Sequence, residues 1–253
     1  YAIFGMNFIA MKIFCGMFFV ASIPIIYRLV KKYFDGKWGA VILTCLVAFN
    51  FQLIFHADNV LSDLPFLFFC YLSLYLMESA RSVLSFIFLG LVLFYSFFTR
   101  ELGIFLLPAY GLYQFMQRDK FKELGVRKFI PYAIVGFLLL ISFAVFPRGS
   151  KNHWHLFFDS ISFDVFWENV QFYLRLLSRF FFFGRDMIFG GVVIALLMAL
   201  GAFSDIRKHG HFVLFTGLYL IVLLFWDNAQ AARLMLPIVP LLFYFLLQGI
   251  FAL

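Results

Sequence analysis

Residues 129–146, FIPYAIVGFLLLISFAVF, decide the fold. This run holds no charged side chain and follows directly on Arg127 and Lys128. A helix needs about 20 mostly apolar residues to cross the hydrocarbon core of a bilayer. Because lipid offers the backbone no hydrogen-bond partners, such a segment must satisfy its own polar groups, and the run therefore predicts a transmembrane helix.

Similar runs recur along the whole chain. The 253 residues are 64% hydrophobic and only 13% charged, with a mean hydropathy of +0.98, whereas soluble domains carry about 25% charged residues. We predict a single all-α domain over 1–253, a polytopic transmembrane helix bundle with about nine membrane helices. These helices are expected at 4–27, 38–55, 64–77, 83–98, 102–116, 129–146, 187–203, 212–226 and 234–251.

The formal charge of +7 lies in short clusters between the apolar runs. Clusters of this kind differ from the continuous basic face of a nucleic-acid-binding protein, so no nucleic-acid partner is predicted. Lysine and arginine in short loops stay cytoplasmic, and the basic connectors at 28–37, 118–128 and 207–208 fall on one side if every run crosses. The first residue then lies outside and Leu253 inside. His209 and His211, next to the third cluster, are predicted to lie in a solvated inner loop.

The connector at 147–186 is long and lies on the outer side in this topology. Polar residues at helical spacing (Asp164, Glu168, Gln171, Arg175 and Arg179) oppose an apolar face that includes Trp167 and Tyr173. This pattern predicts an amphipathic helix. Two placements stay open, one in the plane of the membrane interface and one as a lid packed on the bundle.

Cysteine and histidine give no firm sign of a cofactor. Cys15, Cys45 and Cys70 each lie inside an apolar run and are predicted to be small buried hydrophobic residues. His153 and His155 form an HxH pair without a third ligand at a defined spacing, which is a weak signal for metal. No cofactor is predicted, and a divalent metal is left open. Nucleotide-binding and hydrolase motifs are absent from the sequence, which argues against a cytosolic nucleotide as co-substrate.

Many charged residues lie at the outer ends of the predicted helices. Because a charge at the bilayer centre costs about 2.5 to 3.5 kcal/mol, these residues must reach water, pair or line a cavity. The outer side is therefore the predicted location of the chemistry. Residues 56–65, HADNVLSDLP, join two predicted helices. Ser62 or Asp63 before Pro65 is typical of a helix N-cap, which gives Asp63 a structural explanation. Asp58 lies before the cap, so it is either a catalytic base or a solvated carboxylate.

Two arginines are predicted to lie at the same outer end of the helix bundle. Arg100 and Glu101 form a tight corner, and Arg233 opens the last apolar run. The guanidinium group binds phosphate through a rigid fork of donors, so the pair suits a phosphate whose lipid tail stays in the bilayer. The simpler alternatives are a local ion pair of Arg100 with Glu101 and one of Arg233 with Asp227.

Three segments resemble the membrane module of GT-C glycosyltransferases: HADNVLSDLPFLFF at 56–69, FTRELGIFLLP at 98–108 and ARLMLPIVP at 232–240. The chain is most similar to the dolichyl-phosphate-mannose protein mannosyltransferases and the bacterial aminoarabinose transferases. In this resemblance Asp58 matches the second acidic position, and Arg100 and Arg233 lie near the lipid phosphate. His56, Asp63 and Glu101 are the other expected substrate-binding residues.

The resemblance implies inverting transfer of a sugar from a polyprenyl-phosphate donor to a hydroxyl of a protein, lipid or glycan acceptor. The implied location is a bacterial inner membrane with the site facing the periplasm, or the ER membrane with the site facing the lumen. In this family the main catalytic Asp lies in the first outer loop. The chain is expected to begin beyond that loop, as a fragment that is itself inactive.

A transporter or lipid flippase is the alternative function. It predicts charges near mid-helix and two matching halves with broken helices. In this sequence the charges lie at helix ends, apart from Lys12, and no halves match.

Overall fold

The computed structural model describes residues 7–34, 36–57, 62–145, 161–181, 187–204, 206–226 and 231–253. Within them the chain is helical and holds no strand, which confirms the all-α prediction. The α-helices are α1 Phe8–Val30, α2 Lys37–Ala48, α3 Phe51–Ala57, α4 Asp63–Ser79, α5 Val83–Thr99, α6 Leu106–Met116, α7 Arg118–Glu123, α8 Ile130–Val145, α9 Phe163–Phe181, α10 Ile188–Ser204, α11 Ile206–Phe225, α12 Ala231–Met235 and α13 Val239–Phe251. Short 3-10 segments cover Glu101–Phe105, Gly125–Phe129 and Leu236–Ile238.

Four helical stretches in the described part of the chain are long and apolar enough to cross a membrane: Phe8–Val30, Gly125–Val145, Ile206–Phe225 and Arg233–Phe251. Trp38–Ala48, Val83–Thr99 and Ile188–Ser204 are shorter apolar helices. Every predicted apolar run thus contains helix, while a total of nine crossings stays a prediction.

Two of the predicted runs are interrupted. The run 38–55 divides after α2, because the side-chain Oδ1 of Asn50 accepts hydrogen bonds from the backbone N–H groups of Gln52 (3.1 Å) and Leu53 (3.2 Å) and starts α3. The run 102–116 begins as a 3-10 segment, which leaves α6 only 11 residues. At about 1.5 Å per residue, α6 alone is too short for a full crossing.

Helices α4 and α13 form the interior of the bundle. Helix α4 packs on α1, α5 and α6, and α13 packs on α10 and α2. The stretch Arg233–Phe251 is 83% buried, whereas Gly125–Val145 is only 11% buried and presents its apolar side chains outward. The hydroxyl of Tyr71 in α4 accepts a hydrogen bond of 3.1 Å from the backbone N–H of Leu241, which fixes the start of α13 against α4.

The predicted amphipathic helix exists as α9 and packs on the bundle. Tyr173, Leu176 and Leu177 are buried where α9 contacts α10 and α11. Asn169 donates hydrogen bonds of 3.0 Å to the carbonyls of both Leu224 and Trp226 at the end of α11. The structure therefore supports the lid placement, and a position in the membrane interface stays a prediction.

Three residues differ from the sequence-based interpretation. His209 and His211 are buried rather than solvated, because α11 already begins at Ile206 and carries both rings into the bundle. His209 contacts the carbonyl of Ala202 and the hydroxyl of Tyr244, each at 3.1 Å. Cys45 is exposed, whereas Cys15 and Cys70 are buried as predicted.

Helices α10 and α13 approach closely at two glycines. A Cβ added to Gly201 would overlap the carbonyl oxygen of Phe245, and one added to Gly249 would overlap that of Leu197. Small residues at such contacts let helix backbones approach in membrane proteins. The contact therefore depends on these two positions having no side chain.

Gly201→Ala and Gly249→Ala are each expected to lower the apparent Tm of the detergent-solubilised protein, because α10 and α13 must separate and overpacking costs about 1 to 3 kcal/mol. Thermal unfolding followed by fluorescence measures the change. Gly136→Ala in α8 is the matched control, since its added Cβ meets no atom within 4 Å. Equal melting of the control and both variants would contradict the close packing.

Candidate functional site

One carboxylate and two guanidinium groups meet at one end of the bundle. The Asp63 side chain is only 1% exposed, and its Oδ1 contacts the guanidinium of Arg100. Its Oδ2 lies 3.3 Å from Nε of Arg233. These three residues, called the Asp63 site below, come from the start of α4, the end of α5 and the short helix α12. The two arginines predicted to lie at the same end of the helix bundle do lie together.

The predicted helix start is confirmed with Ser62 at the N-cap position and Pro65 in the first turn of α4, whereas Asp63 is not the capping residue. Ser62 occupies the N-cap position but makes no side-chain capping bond, and Asp63 is already the first residue of α4. Its carboxylate is used by the arginines instead. Arg100 and Arg233 thus share a partner distant in sequence, which the local-pair alternatives did not include.

The backbone around Arg100 turns sharply and fixes the arginine. The N–H of Arg100 donates to the carbonyl of Ser96 at 3.1 Å, and the N–H of Gly103 donates to the carbonyl of Arg100 at 2.9 Å. A Cβ on Gly103 would lie 2.6 Å from the backbone nitrogen of Phe97. Only glycine allows this close return of the chain.

Helix α11 contacts the backbone next to Arg233 from inside the bundle. The hydroxyl of Tyr219 donates to the carbonyl of Leu234 at 2.8 Å. The Tyr219 ring stacks on Phe66, three residues beyond Asp63, with 6.3 Å between ring centroids. Sequence reasoning placed Tyr219 in an apolar run and missed this role, since a buried hydroxyl inside a crossing carries no motif.

The Asp63 site keeps one net positive charge. Burial raises the pKa of Asp63, and the charges of Arg100 and Arg233 oppose that rise. Direct contact with two guanidinium groups favours the ionised carboxylate. Two guanidinium charges then face one carboxylate. Nε of Arg100 is buried without a hydrogen-bond partner among the residues that the structure describes.

His56 lies beside the Asp63 site, after the predicted crossing has ended. Partial burial lowers the pKa of His56, and the charges of Asp63 and Arg233 reach it with opposite effects. Its ring is therefore mainly neutral at pH 7. Its Nδ1 is buried with no hydrogen-bond partner in the described part of the chain.

The other predicted site residues are placed less fully. Glu101 begins the 3-10 segment after Arg100 and is half-buried. Asp58, His153, His155 and Asp227 lie outside the described residues. Among the described side chains, no group of three His, Cys, Asp or Glu residues has the arrangement of a metal site.

Comparison with known families identifies the family of the chain. Residues 1–146, more than half of the chain, match the family of dolichyl-phosphate-mannose-protein mannosyltransferases. The chain belongs to this family. The mannosyltransferase match includes Asp63 and Arg100 and ends before Arg233. Membership confirms the resemblance to GT-C enzymes, and it implies a membrane glycosyltransferase. No curated protein and no solved structure matches the chain.

Asp63→Ala is expected to lower the apparent Tm strongly, because removing one partner of a buried ion pair costs about 3 to 5 kcal/mol. The matched control is Asp119→Ala, which removes an exposed carboxylate 3.2 Å from Lys122 and is expected to change stability little. Thermal unfolding in one detergent compares the two variants. A similar Tm for both would show that the Asp63 site does not stabilise the bundle.

Proposed function

We propose that this family member transfers a sugar from a polyprenyl-phosphate donor to a hydroxyl acceptor at the Asp63 site, on the non-cytoplasmic side of the membrane. The observation that carries the proposal is the convergence of Arg100 and Arg233 on one buried carboxylate at a helix-end boundary. Family membership supports the reaction class.

The charge of the site suits this donor. A polyprenyl-phosphate sugar is a phosphodiester with one negative charge, which balances the one net positive charge of the Asp63 site. When the bond between sugar C1 and the phosphate oxygen breaks, the departing polyprenyl phosphate gains a second negative charge. Preformed cations that bind this charge more strongly in the transition state than in the ground state accelerate the step.

The acceptor hydroxyl attacks C1 from the face opposite the phosphate. A new bond forms between C1 and the acceptor oxygen, the old bond breaks towards phosphate, and the hydroxyl proton passes to a carboxylate. The resemblance assigns the main base to an Asp of the first outer loop. We assign Asp58, the second acidic position of that resemblance, a supporting part in this proton transfer, because it precedes α4 in the sequence. Asp63 is the positioning residue for both arginines, while His56 and Glu101 lie where the sugar or the acceptor would bind.

Arg100→Ala and Arg233→Ala are each expected to lower kcat for sugar transfer by about 100-fold or more, the scale of removing one donor to a developing anion. Arg233→Lys keeps the charge but loses the fork of donors, and an intermediate rate is expected. The assay follows labelled sugar from a polyprenyl-phosphate donor into product, in membranes that contain the full-length protein. Asp58→Asn is expected to lower the rate of transfer.

Lys122→Ala removes a surface cation far from the Asp63 site in sequence and is the control for expression and general charge. Rates within twofold of wild type in both arginine variants, at normal protein level, would contradict the proposed phosphate site. Movement of labelled sugar across the membrane without a covalent product would favour a transporter instead.

A second experiment tests the side of the membrane. In a variant whose own cysteines are replaced, Ser62→Cys is expected to react with a membrane-impermeant thiol reagent added outside intact cells. Asp119→Cys is expected to react only after the membrane is opened. Both positions are exposed, so accessibility reports the compartment, and labelling of both from the same side would contradict the topology.

A further inference from the structure

A second buried carboxylate lies at the opposite end of α4. Glu78 is one residue before the last residue of the helix, and its side chain is 4% exposed. Its Oε2 accepts a hydrogen bond of 2.9 Å from Nζ of Lys32, and its Oε1 accepts one of 2.5 Å from the hydroxyl of Tyr33. Nε2 of His211 lies 3.3 Å from the same Oε1. Glu78, at the end of α4, therefore connects the residues that follow α1 with His211 in α11.

A cavity of about 400 Å³ opens beside Glu78. Volumes of about 300 to 1,000 Å³ are typical of small-molecule sites. Apart from Glu78, its lining consists of three cations, two phenol hydroxyls and one amide: Lys32, Arg81, Lys208, Tyr33, Tyr113 and Gln117. Cationic and hydrogen-bond-donating groups thus dominate the wall.

The cations on the lining outnumber its carboxylate. Glu78 pairs directly with Lys32. Arg81 and Lys208 are two further cations of the lining, and both are exposed. A wall on which cations outnumber carboxylates favours an anionic ligand.

The cavity also lies where the basic connectors meet. Lys32 follows α1, Gln117 ends α6 directly before the cluster at 118–128, and Lys208 lies in the first turn of α11. The carbonyl of Lys128 accepts hydrogen bonds from Tyr110 and Gln114 of α6, which brings the far end of the second connector to the same end of the bundle. Basic pockets between membrane helices are suited to anionic lipid headgroups.

We propose that the Glu78 cavity binds a phosphate group through Lys32, Arg81 and Lys208, at a site separate from the Asp63 site. The phosphate can come from the headgroup of an anionic lipid in the adjoining leaflet or from inorganic phosphate in solution. Bound phosphate would connect α1, the α4–α5 link and α11, and so stabilise the bundle at this end.

The simpler role for these cations is compensation of helix C-termini. Helices α1, α4 and α6 all end here, and cations stabilise such ends. Arg81 donates a hydrogen bond of 2.6 Å to the carbonyl of Ala80 at the end of α4. This contact is made through one of its terminal nitrogens and leaves the other for a ligand. Compensation alone predicts no response to phosphate, which makes the two roles separable.

The test measures the apparent Tm of the full-length protein in nanodiscs of phosphatidylcholine, with and without phosphatidylglycerol. Inorganic phosphate is titrated separately in phosphatidylcholine nanodiscs against chloride at equal ionic strength. We expect phosphatidylglycerol to raise the Tm of the wild type. In Arg81→Ala/Lys208→Ala the apparent Kd for phosphatidylglycerol is expected to rise about tenfold or more.

Arg118→Ala/Lys122→Ala removes two cations from the neighbouring connector that do not line the cavity, and it is expected to keep the wild-type response. A response to phosphatidylglycerol alone assigns the lipid headgroup as the source, and a response to both probes assigns the phosphate group itself. An unchanged response in the cavity variant, or an equal loss in the control, overturns the proposal. If the double variant unfolds too early, Arg81→Gln and Lys208→Gln singly provide the same comparison. Sugar transfer is not the readout, so this result is independent of the proposed function.

Discussion

The structure depends on the pairing of the charged side chains that are buried in the apolar bundle. A buried, unpaired carboxylate is so unfavourable in a medium of low polarity that it must neutralise or find cations. Asp63 meets this constraint by forming ion pairs with Arg100 and Arg233, which lie in two connectors distant in sequence. The requirement therefore fixes how α4, α5 and α12 lie relative to one another at one end of the bundle, and it builds a positively charged site in doing so.

The same constraint acts again at the other end of α4. Asp63 and Glu78 are 15 residues apart on one helix, a separation of about 22 Å at 1.5 Å per residue. Each is almost fully buried, and each collects partners from other helices. The two ends differ in their partners, because rigid guanidinium forks surround Asp63, whereas a lysine, a tyrosine and a histidine surround Glu78. Helix α4 thus organises the polar chemistry of both ends.

Composition and periodicity predicted the helical class and the location of nearly every helix, because apolar runs bounded by charge leave few alternatives in lipid. The amphipathic pattern also found α9. The pattern could not show that α9 is held by Asn169 to the end of α11, nor that His209 and His211 are buried. These features depend on which helices become neighbours, and the charge of a nearby loop says nothing about that.

The site shows the same division between local and distant information. Arg100 and Arg233 were identifiable because arginine at a membrane boundary has few chemical uses. Their common partner was missed because Ser62 and Pro65 supply a sufficient local explanation for Asp63. Helix capping needs only a short polar side chain at the N-cap, whereas Asp63 is inside the helix with its carboxylate buried between two cations. A local role that is adequate does not exclude a tertiary one, and in an apolar bundle the tertiary partner decides where the charge lies.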